Sequence, residues 1–338
     1  MRLIIHKFFK SFRYGLLALI VLIVLDFYAR PMNFSILNDL LAFPIGFAIG
    51  LVSEFLIGKS FRRLSYPIQI LIELVIIIFI VVLVITGVSY LHDQYPLVKI
   101  LQNVPSVGTK SFQVLIIQFV IIALVVITLF QIERLIGRKT MIKFLFGSYD
   151  RPKETDQIFM FIDMKDATMY AEKIGNIKFY EMINETITDM SKSVLKTDAE
   201  ILKYIGDEVV FTWPMKRGLR RNNCVKLFFE IQKVMDDKGD YYEKKYGCRP
   251  SYKAGVHGGK VICAQVGDLR KAIDYSGDAI NTTARLEGVC NENNANLVVS
   301  KFIFDQLSDN SVYKATELEK LQLKGKKKVV TAMKVERK

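Results

Sequence analysis

Histidine is scarce in this chain. Its 338 residues hold three, His6, His92 and His257, too scattered to gather around one metal. The four cysteines, Cys224, Cys248, Cys263 and Cys290, form no Cys-x-x-Cys pair. A zinc site is therefore not expected. Free thiols in a reducing compartment are the expectation instead. The first apolar run is not followed by a small-x-small cleavage pattern, so it is not read as a removable signal peptide. The chain also lacks the interleaved aromatic and basic platform that single-stranded nucleic acids require. Its net charge of +13 is accordingly not read as nucleic-acid binding.

Long apolar runs fill the first part of the chain. Tyr14–Leu25, Leu40–Gly58, Leu74–Leu91 and Phe112–Gln131 are candidate spans; the third holds 18 residues without a charge and the fourth 20. A helix of about 20 residues crosses roughly 30 Å of hydrocarbon. Lys7, Lys10, Arg13, Lys59, Arg62, Arg63, Arg134, Arg138, Lys139 and Lys143 fall on one side of such a four-span layout, and only Arg30, Lys99 and Lys110 on the other. The excess of cations places both termini in the cytoplasm and the protein in the cell (inner) membrane. Residues 1–131 thus read as a four-helix transmembrane domain in contact with lipid. Glu54 and Glu73 lie within or near spans, where an ionisable group can serve a ligand, and a membrane or extracytoplasmic ligand is kept as a partner.

Residues 132–155 read as a coupling helix and a hinge. Ile132, Leu135, Ile136, Ile142, Leu145 and Phe146 recur at helical spacing, which fits either a helix resting on lipid or one that pairs with its copy. Residues 156–338 have an ordinary soluble composition. Strands are expected at Gln157–Ile162, Glu200–Ile205, Glu208–Trp213, Tyr252–His257, Lys260–Val266, Lys271–Tyr275, Leu297–Ser300, Val312–Glu317 and Lys328–Val335. Helices are expected at Thr168–Lys196, interrupted near Gly175, and at Leu219–Tyr246. The order β-α-β-β-α-β with added strands gives an α+β sandwich of ferredoxin-like kind.

Polar residues stand at the ends of these elements. Asp163 closes an apolar strand, and Asp207 sits in the tight turn Gly206-Asp207 of a hairpin. Strand-end carboxylates can hold hard cations, although a lone pair of this kind is more often a pair of turn residues. Lys203 lies four residues before Asp207. Asp274 precedes a glycine turn, and Asn281 and Arg285 follow one helical turn apart on one face. Carboxylate, amide and guanidinium converging at a strand-to-helix turn suit a nucleotide. Taken alone, the same stretch reads as a capped helix with a surface arginine.

Four segments in order resemble the catalytic domain of the class III adenylyl/guanylyl cyclases. They are Phe161-Ile-Asp163-Met-Lys-Asp-Ala-Thr168, Lys203-Tyr-Ile-Gly206-Asp207, Asp274 through Arg285, and Leu321-Gln-Leu-Lys324-Gly325, and the similarity spans about residues 156–336. The first loop reads Met-Lys-Asp-Ala-Thr where many relatives have an Ile-Arg-Gly-Phe-Thr-like run. The resemblance implies that Asp163, Asp207 and the Ile162 backbone bind two Mg²⁺ or Mn²⁺ per site. It implies that Lys203 and Asp274 read the base, Asn281 orients the ribose, Arg285 stabilises the pentavalent phosphorus and Lys324 holds the terminal phosphates. It further implies a head-to-tail homodimer with the site at its interface. A lysine donating to adenine N1 and an aspartate accepting from N6 favour ATP, and guanine would leave both unpaired at roughly 1–3 kcal/mol each. The expected activity is adenylyl cyclase: ATP to 3′,5′-cyclic AMP and pyrophosphate. A guanylyl cyclase, and a membrane receptor whose cyclase-like domain only binds nucleotide, are the alternatives.

Overall fold

The computed structural model describes residues 2–29 and 42–51, parts of 68–79 and 117–136, and residues 137–338 other than 270, 319–320 and 323–328. The chain divides into two units, Met1–Phe146 and Gly147–Lys338. In the first, α1 (Arg2–Ala29) packs on α2 (Ala42–Leu51), and α3 spans Arg138–Leu145. The α1–α2 contact is close because glycine lets the backbones meet. A Cβ on Gly46 would stand 2.5 Å from the Ala18 side chain, and one on Gly50 2.6 Å from the Ser11 backbone. Small residues at such crossings are the usual device of apolar helix pairs. Tyr14 and Ala18 are buried there.

The first expected span falls within α1 and the second overlaps α2, while most of the third and fourth lies outside the described residues. Among the described residues no helix is long and apolar enough to cross a membrane. The four-helix membrane domain read from the sequence is therefore not seen here. The coupling helix is shorter than its pattern predicts, because Gly137 at φ 81° breaks the backbone before Arg138.

The second unit is built on one mixed sheet. Its elements are β1 (Lys153–Met164), α4 (Ala167–Ile174), α5 (Asn176–Lys196), β2 (Glu200–Ile205), β3 (Glu208–Pro214), α6 (Met215–Leu219), a 3₁₀ turn at Arg220–Asn222, α7 (Asn223–Asp237), α8 (Gly239–Tyr246), β4 (Tyr252–Val266), β5 (Ala272–Ser276), α9 (Asp278–Glu292), β6 (Leu297–Ser300), α10 (Lys301–Phe304), β7 (Tyr313–Glu317), the small ribbon β8 (Leu321–Gln322) and β9 (Val329–Val330), and β10 (Ala332–Arg337). The strand order is β2-β3-β1-β4-β6-β10-β7, with β5 paired to β4. Its first four strands, all antiparallel, give the expected β-α-β-β-α-β arrangement.

Three elements differ from the sequence pattern, the first being the strand expected over Lys328–Val335, which is divided at Thr331 into β9 and β10. Gly258-Gly259 reads as a break between two strands, yet β4 runs unbroken for 15 residues. Gly258 is needed for close approach instead, since a Cβ there would sit 2.9 Å from the Gln157 carbonyl of β1. The single helix expected over Leu219–Tyr246 is two, α7 and α8, parted at Lys238.

Alternation along β1 separates the two faces. Ile158, Met160, Ile162 and Met164 point into the large core beneath α5 and α7, which also holds Trp213, Phe211 and Phe228. Phe159 and Phe161 point the other way, to Val210, Val261 and Ala279 of α9. Asp163 has the parity of Phe159 and Phe161, so its side chain leaves the sheet on the α9 face.

Candidate active site

Asp163 is held between two buried neighbours, Ile162 and Met164, on a strand fixed on both sides by β3 and β4. Asp207 follows Gly206, whose φ of 64° makes the tight β2–β3 turn. The two carboxyls come within hydrogen-bonding reach of each other. Burial first, and then Asp163, push the Asp207 carboxyl up to about 6, while the backbone N–H groups of Asp207 and Met164 pull it down. Glu208 is driven up to about 7 by burial and by the charges of Asp163, Glu287 and Asp207, with Lys203 opposing. The charges of Asp163 and Glu287 thus add to burial in raising the proton affinity of Asp207 and Glu208.

A β-bulge brings Lys203 to this face. The register of β2 against β3 shifts between Ile201 and Lys203, and Lys203 then pairs with Val210, whose side chain lies on the α9 side. Without the extra residue Leu202 the lysine would point to the opposite face. Bulges re-aim side chains in this way, and regular alternation alone would not place this one.

Lys253 was not among the residues singled out from the sequence. It stands opposite Asp163 on β4, with Nζ 3.4 Å from Asp163 Oδ2 and 2.8 Å from Glu287 Oε1 of α9. Burial pulls its pKa down, but Glu287 and Asp163 more than offset this and hold it above the usual lysine value. A signal for it existed: Lys253 is the one charge in the apolar run Tyr252-Lys-Ala-Gly-Val256, and a lysine in a buried strand needs acidic partners.

Lys165 and Asp166 follow the site aspartate. The Lys165 ammonium turns away and donates to the Asn296 side chain, and its backbone N–H donates to Ser251 O at 2.9 Å. Asp166 is left-handed, φ 57°, ψ 25°, at the start of α4.

The structure therefore gathers Asp163, Asp207 and Lys203, with the Ile162 backbone beside them. It does not bring the second group to them within one chain. Asp274 on β5, and Asn281 and Arg285 on α9, are exposed and make no hydrogen bond or ion pair with Asp163 or Asp207 among the described residues. The α9 surface opposite them is buried through Ala279, Thr282, Thr283 and Leu286, so Asn281 and Arg285 face outward together. Lys324 lies outside the described residues.

No set of three or more His, Cys, Asp or Glu side chains among the described residues is arranged to hold a metal alone. A pair of carboxylates still fits Mg²⁺, which typically takes one or two and completes its shell with water and substrate phosphates. Asp207, whose proton affinity is raised by burial and by Asp163 beside it, is the kind of carboxyl that a divalent cation relieves.

The family model described as Adenylate and Guanylate cyclase catalytic domain matches residues 151–334. The chain is 31% identical over 201 residues to Adenylate cyclase 2 of Rhizobium meliloti, a match covering 60% of this chain and 55% of that protein. It is 24% identical over 180 residues to an adenylate cyclase of Anabaena cylindrica, covering 52% and 36%. The chain thus spans about half or less of the length of the curated relatives it matches. Among solved structures, the adenylyl cyclase CyaB from P. aeruginosa aligns at TM-score 0.48 and 17% identity, covering 56% of this chain and 97% of that one.

Proposed function

The chain belongs to the adenylate and guanylate cyclase catalytic family, and on that premise we propose that it is a membrane-anchored adenylyl cyclase, converting ATP to 3′,5′-cyclic AMP and pyrophosphate at two sites shared between two copies of the chain. The observation that carries this reading is the division of the polar groups. Asp163, Asp207 and Lys203 converge on one face, while Asn281 and Arg285 stand exposed on α9 and pair with neither aspartate among the described residues. One copy then supplies the acidic half of each site and the other the guanidinium.

In the reaction the ribose 3′ oxygen attacks the α-phosphorus, the α–β bridging bond breaks and pyrophosphate leaves. Asp163, Asp207 and the Ile162 carbonyl would hold the divalent ions, which when bound lower the pKa of the attacking hydroxyl and offset charge on the triphosphate. Lys253 holds Asp163 in place from across the β1–β4 pair. Lys203 donates to adenine N1, and Asp274 of the second copy accepts from N6. Asn281 orients the ribose. Arg285 meets the charge that grows on the phosphorus, a preorganised interaction worth a few kcal/mol in comparable enzymes. Lys324 holds the terminal phosphates.

Membrane anchoring rests on the four apolar runs, the bias of flanking cations and the tight glycine crossing of α1 on α2. Both termini are then cytoplasmic.

Mixing variants tests the shared site. Asp207→Ala and Arg285→Ala should each be inactive alone. Mixed in equal amounts, half the dimers are heterodimers with one intact site of two, so about a quarter of wild-type activity should return. No recovery, with dimers shown to exchange, would overturn the shared site. Product identity from full-length protein with ATP or GTP supplied separately tests the base, and preferential GTP turnover would overturn the adenine assignment.

A further inference from the structure

The catalytic unit carries a cluster of cations that the reaction does not use. Lys216, Arg217, Arg220 and Arg221 fall within six residues where β3 leaves the sheet through α6 and the 3₁₀ turn, and all four are exposed. The segment from Glu208 to Glu230 contains no acidic residue between its ends. Lys216, Arg217 and Arg221 make no ion pair among the described residues, and Arg220 alone is paired, to Asp198 at 2.9 Å. The other nearby acid, Asp309, is occupied by the Ser311 hydroxyl at 2.6 Å and its N–H at 3.0 Å.

The loop that presents them is held rigidly in a costly backbone. Arg221 and Asn222 are both left-handed, φ 55° and 56°. Side-chain-bearing residues in this region persist only where the surroundings over-determine them. Here Asn222 is the anchor: its side chain donates to the Asp309 carbonyl and accepts from the Ser308 hydroxyl at 2.9 Å and the Asp309 N–H at 3.2 Å. Gly218 seats α6 against Ile158 and Trp213. The cations are thus displayed from a fixed turn, not from a frayed one.

Position decides what they face. Pro214, where β3 ends, pairs with Gln157 of β1, whereas the site aspartate is Asp163, six residues along the same strand. At about 3.3 Å per residue the cluster begins roughly 20 Å from the site, at the end of β1 where the chain enters this unit. Arg138, Lys139 and Lys143 come just before that entry in sequence. Leu195, 46% exposed, lies just before the Asp198 turn that Arg220 grips.

We propose that Lys216, Arg217, Arg220 and Arg221 form a docking surface for the anionic headgroups of the membrane's cytoplasmic leaflet, which holds the catalytic unit with its entry end on the lipid and its active site turned to solvent. This rests on the membrane-anchored reading above. Each cation near such a surface is worth about fivefold in occupancy, and the attraction is lost beyond a Debye length.

The test uses the full chain reconstituted into vesicles of equal parts phosphatidylglycerol and phosphatidylcholine, or of phosphatidylcholine alone. All four native cysteines are buried, so Leu195→Cys accepts a fluorophore selectively. Quenching by headgroup-attached nitroxide reports apposition without depending on turnover. Strong quenching is expected on the anionic vesicles, falling more than ~10-fold in the triple variant Lys216→Gln, Arg217→Gln, Arg221→Asn. Asparagine is used at 221 because it tolerates the left-handed backbone. A control triple on other surfaces, Lys178→Gln, Lys233→Gln, Lys244→Gln, should keep the quenching, and Trp213 fluorescence confirms that each variant is folded. Equal quenching on both vesicles, equal loss in the control triple, or release by inorganic phosphate at constant ionic strength would each overturn the proposal. A lack of cyclic AMP would overturn only the enzymatic reading, and failure of the chain to enter vesicles only the anchoring that this proposal presumes.

Discussion

Acidification should weaken the catalytic unit through one side chain, His257. It lies on β4 across from Phe159, with Nδ1 2.7 Å from the Ser300 hydroxyl and the Phe302 ring centroid 6.1 Å away. Ser300 also caps α10 by accepting from the Ile303 N–H, so its hydroxyl ties the histidine to the start of that helix. Burial lowers His257 from 6.5 to about 4, with Asp278 opposing. Between these two values the unfolded chain binds a proton that the folded one does not, so stability falls as pH falls from 6.5 toward 4. A difference of about 2.5 pKa units is worth about 3 kcal/mol. His257→Gln keeps an acceptor for Ser300 and removes the titration. Asp207 and Glu208 act in the opposite sense, since acids with raised pKa gain stability on protonation, but they titrate alike in both proteins and cancel in the difference. Urea unfolding followed by Trp213, the single tryptophan and fully buried in this unit, isolates the relevant transition. From about pH 7 to about pH 4 the wild type should lose about 3 kcal/mol more than the variant. Parallel curves would refute the assignment of a buried neutral histidine.

Two further perturbations probe the scaffold behind the site. Gly255→Ala places a Cβ 2.3 Å from the Glu287 N and 2.6 Å from the Thr283 carbonyl, so α9 must move off β4. A loss of about 1–3 kcal/mol in urea unfolding is expected, with a fall in kcat as Asn281 and Arg285 shift; wild-type kcat would mean that α9 does not set the position of Arg285. Lys253→Met leaves the carboxylate of Glu287, 14% exposed, without its cation. This should cost about 3–5 kcal/mol. Adding Glu287→Gln should return much of it, and no recovery in the double variant would refute the pairing.

The positions of Asp163 and Asp207 were legible in the sequence because they depend on single residues in local settings. Asp163 closes an apolar strand and Asp207 sits in a glycine turn, so each announces a strand end before any contact is known. The strands followed for the same reason, because a period of two and the glycine turns are local. What stayed hidden was everything decided across the sheet. Lys203 reaches the α9 face only through the bulge at Leu202, a register event between two strands. Lys253 finds Asp163 through the β1–β4 pairing and Glu287 through the packing of α9. Gly258-Gly259 looked like punctuation because sequence cannot distinguish a glycine that turns the chain from one that admits a neighbouring backbone.

The loop after Asp163 departs from the resembling pattern, and the structure shows where two of its unusual residues go. Its Met-Lys-Asp-Ala-Thr run places Asp166 where the resembling pattern has glycine, and the structure keeps that position left-handed, φ 57°. Aspartate is among the few residues with a side chain that enter this region at modest cost. Lys165, the other unusual residue, is led out of the site to Asn296. Neither residue enters the Asp163–Asp207 contact. The proposed function accounts for the exposure of Arg285 in one chain. If the guanidinium is to meet growing charge, as proposed, it would gain nothing by pairing with its own carboxylates in the resting state, and a site shared between two copies would keep the cation apart from the acids until substrate lay between them.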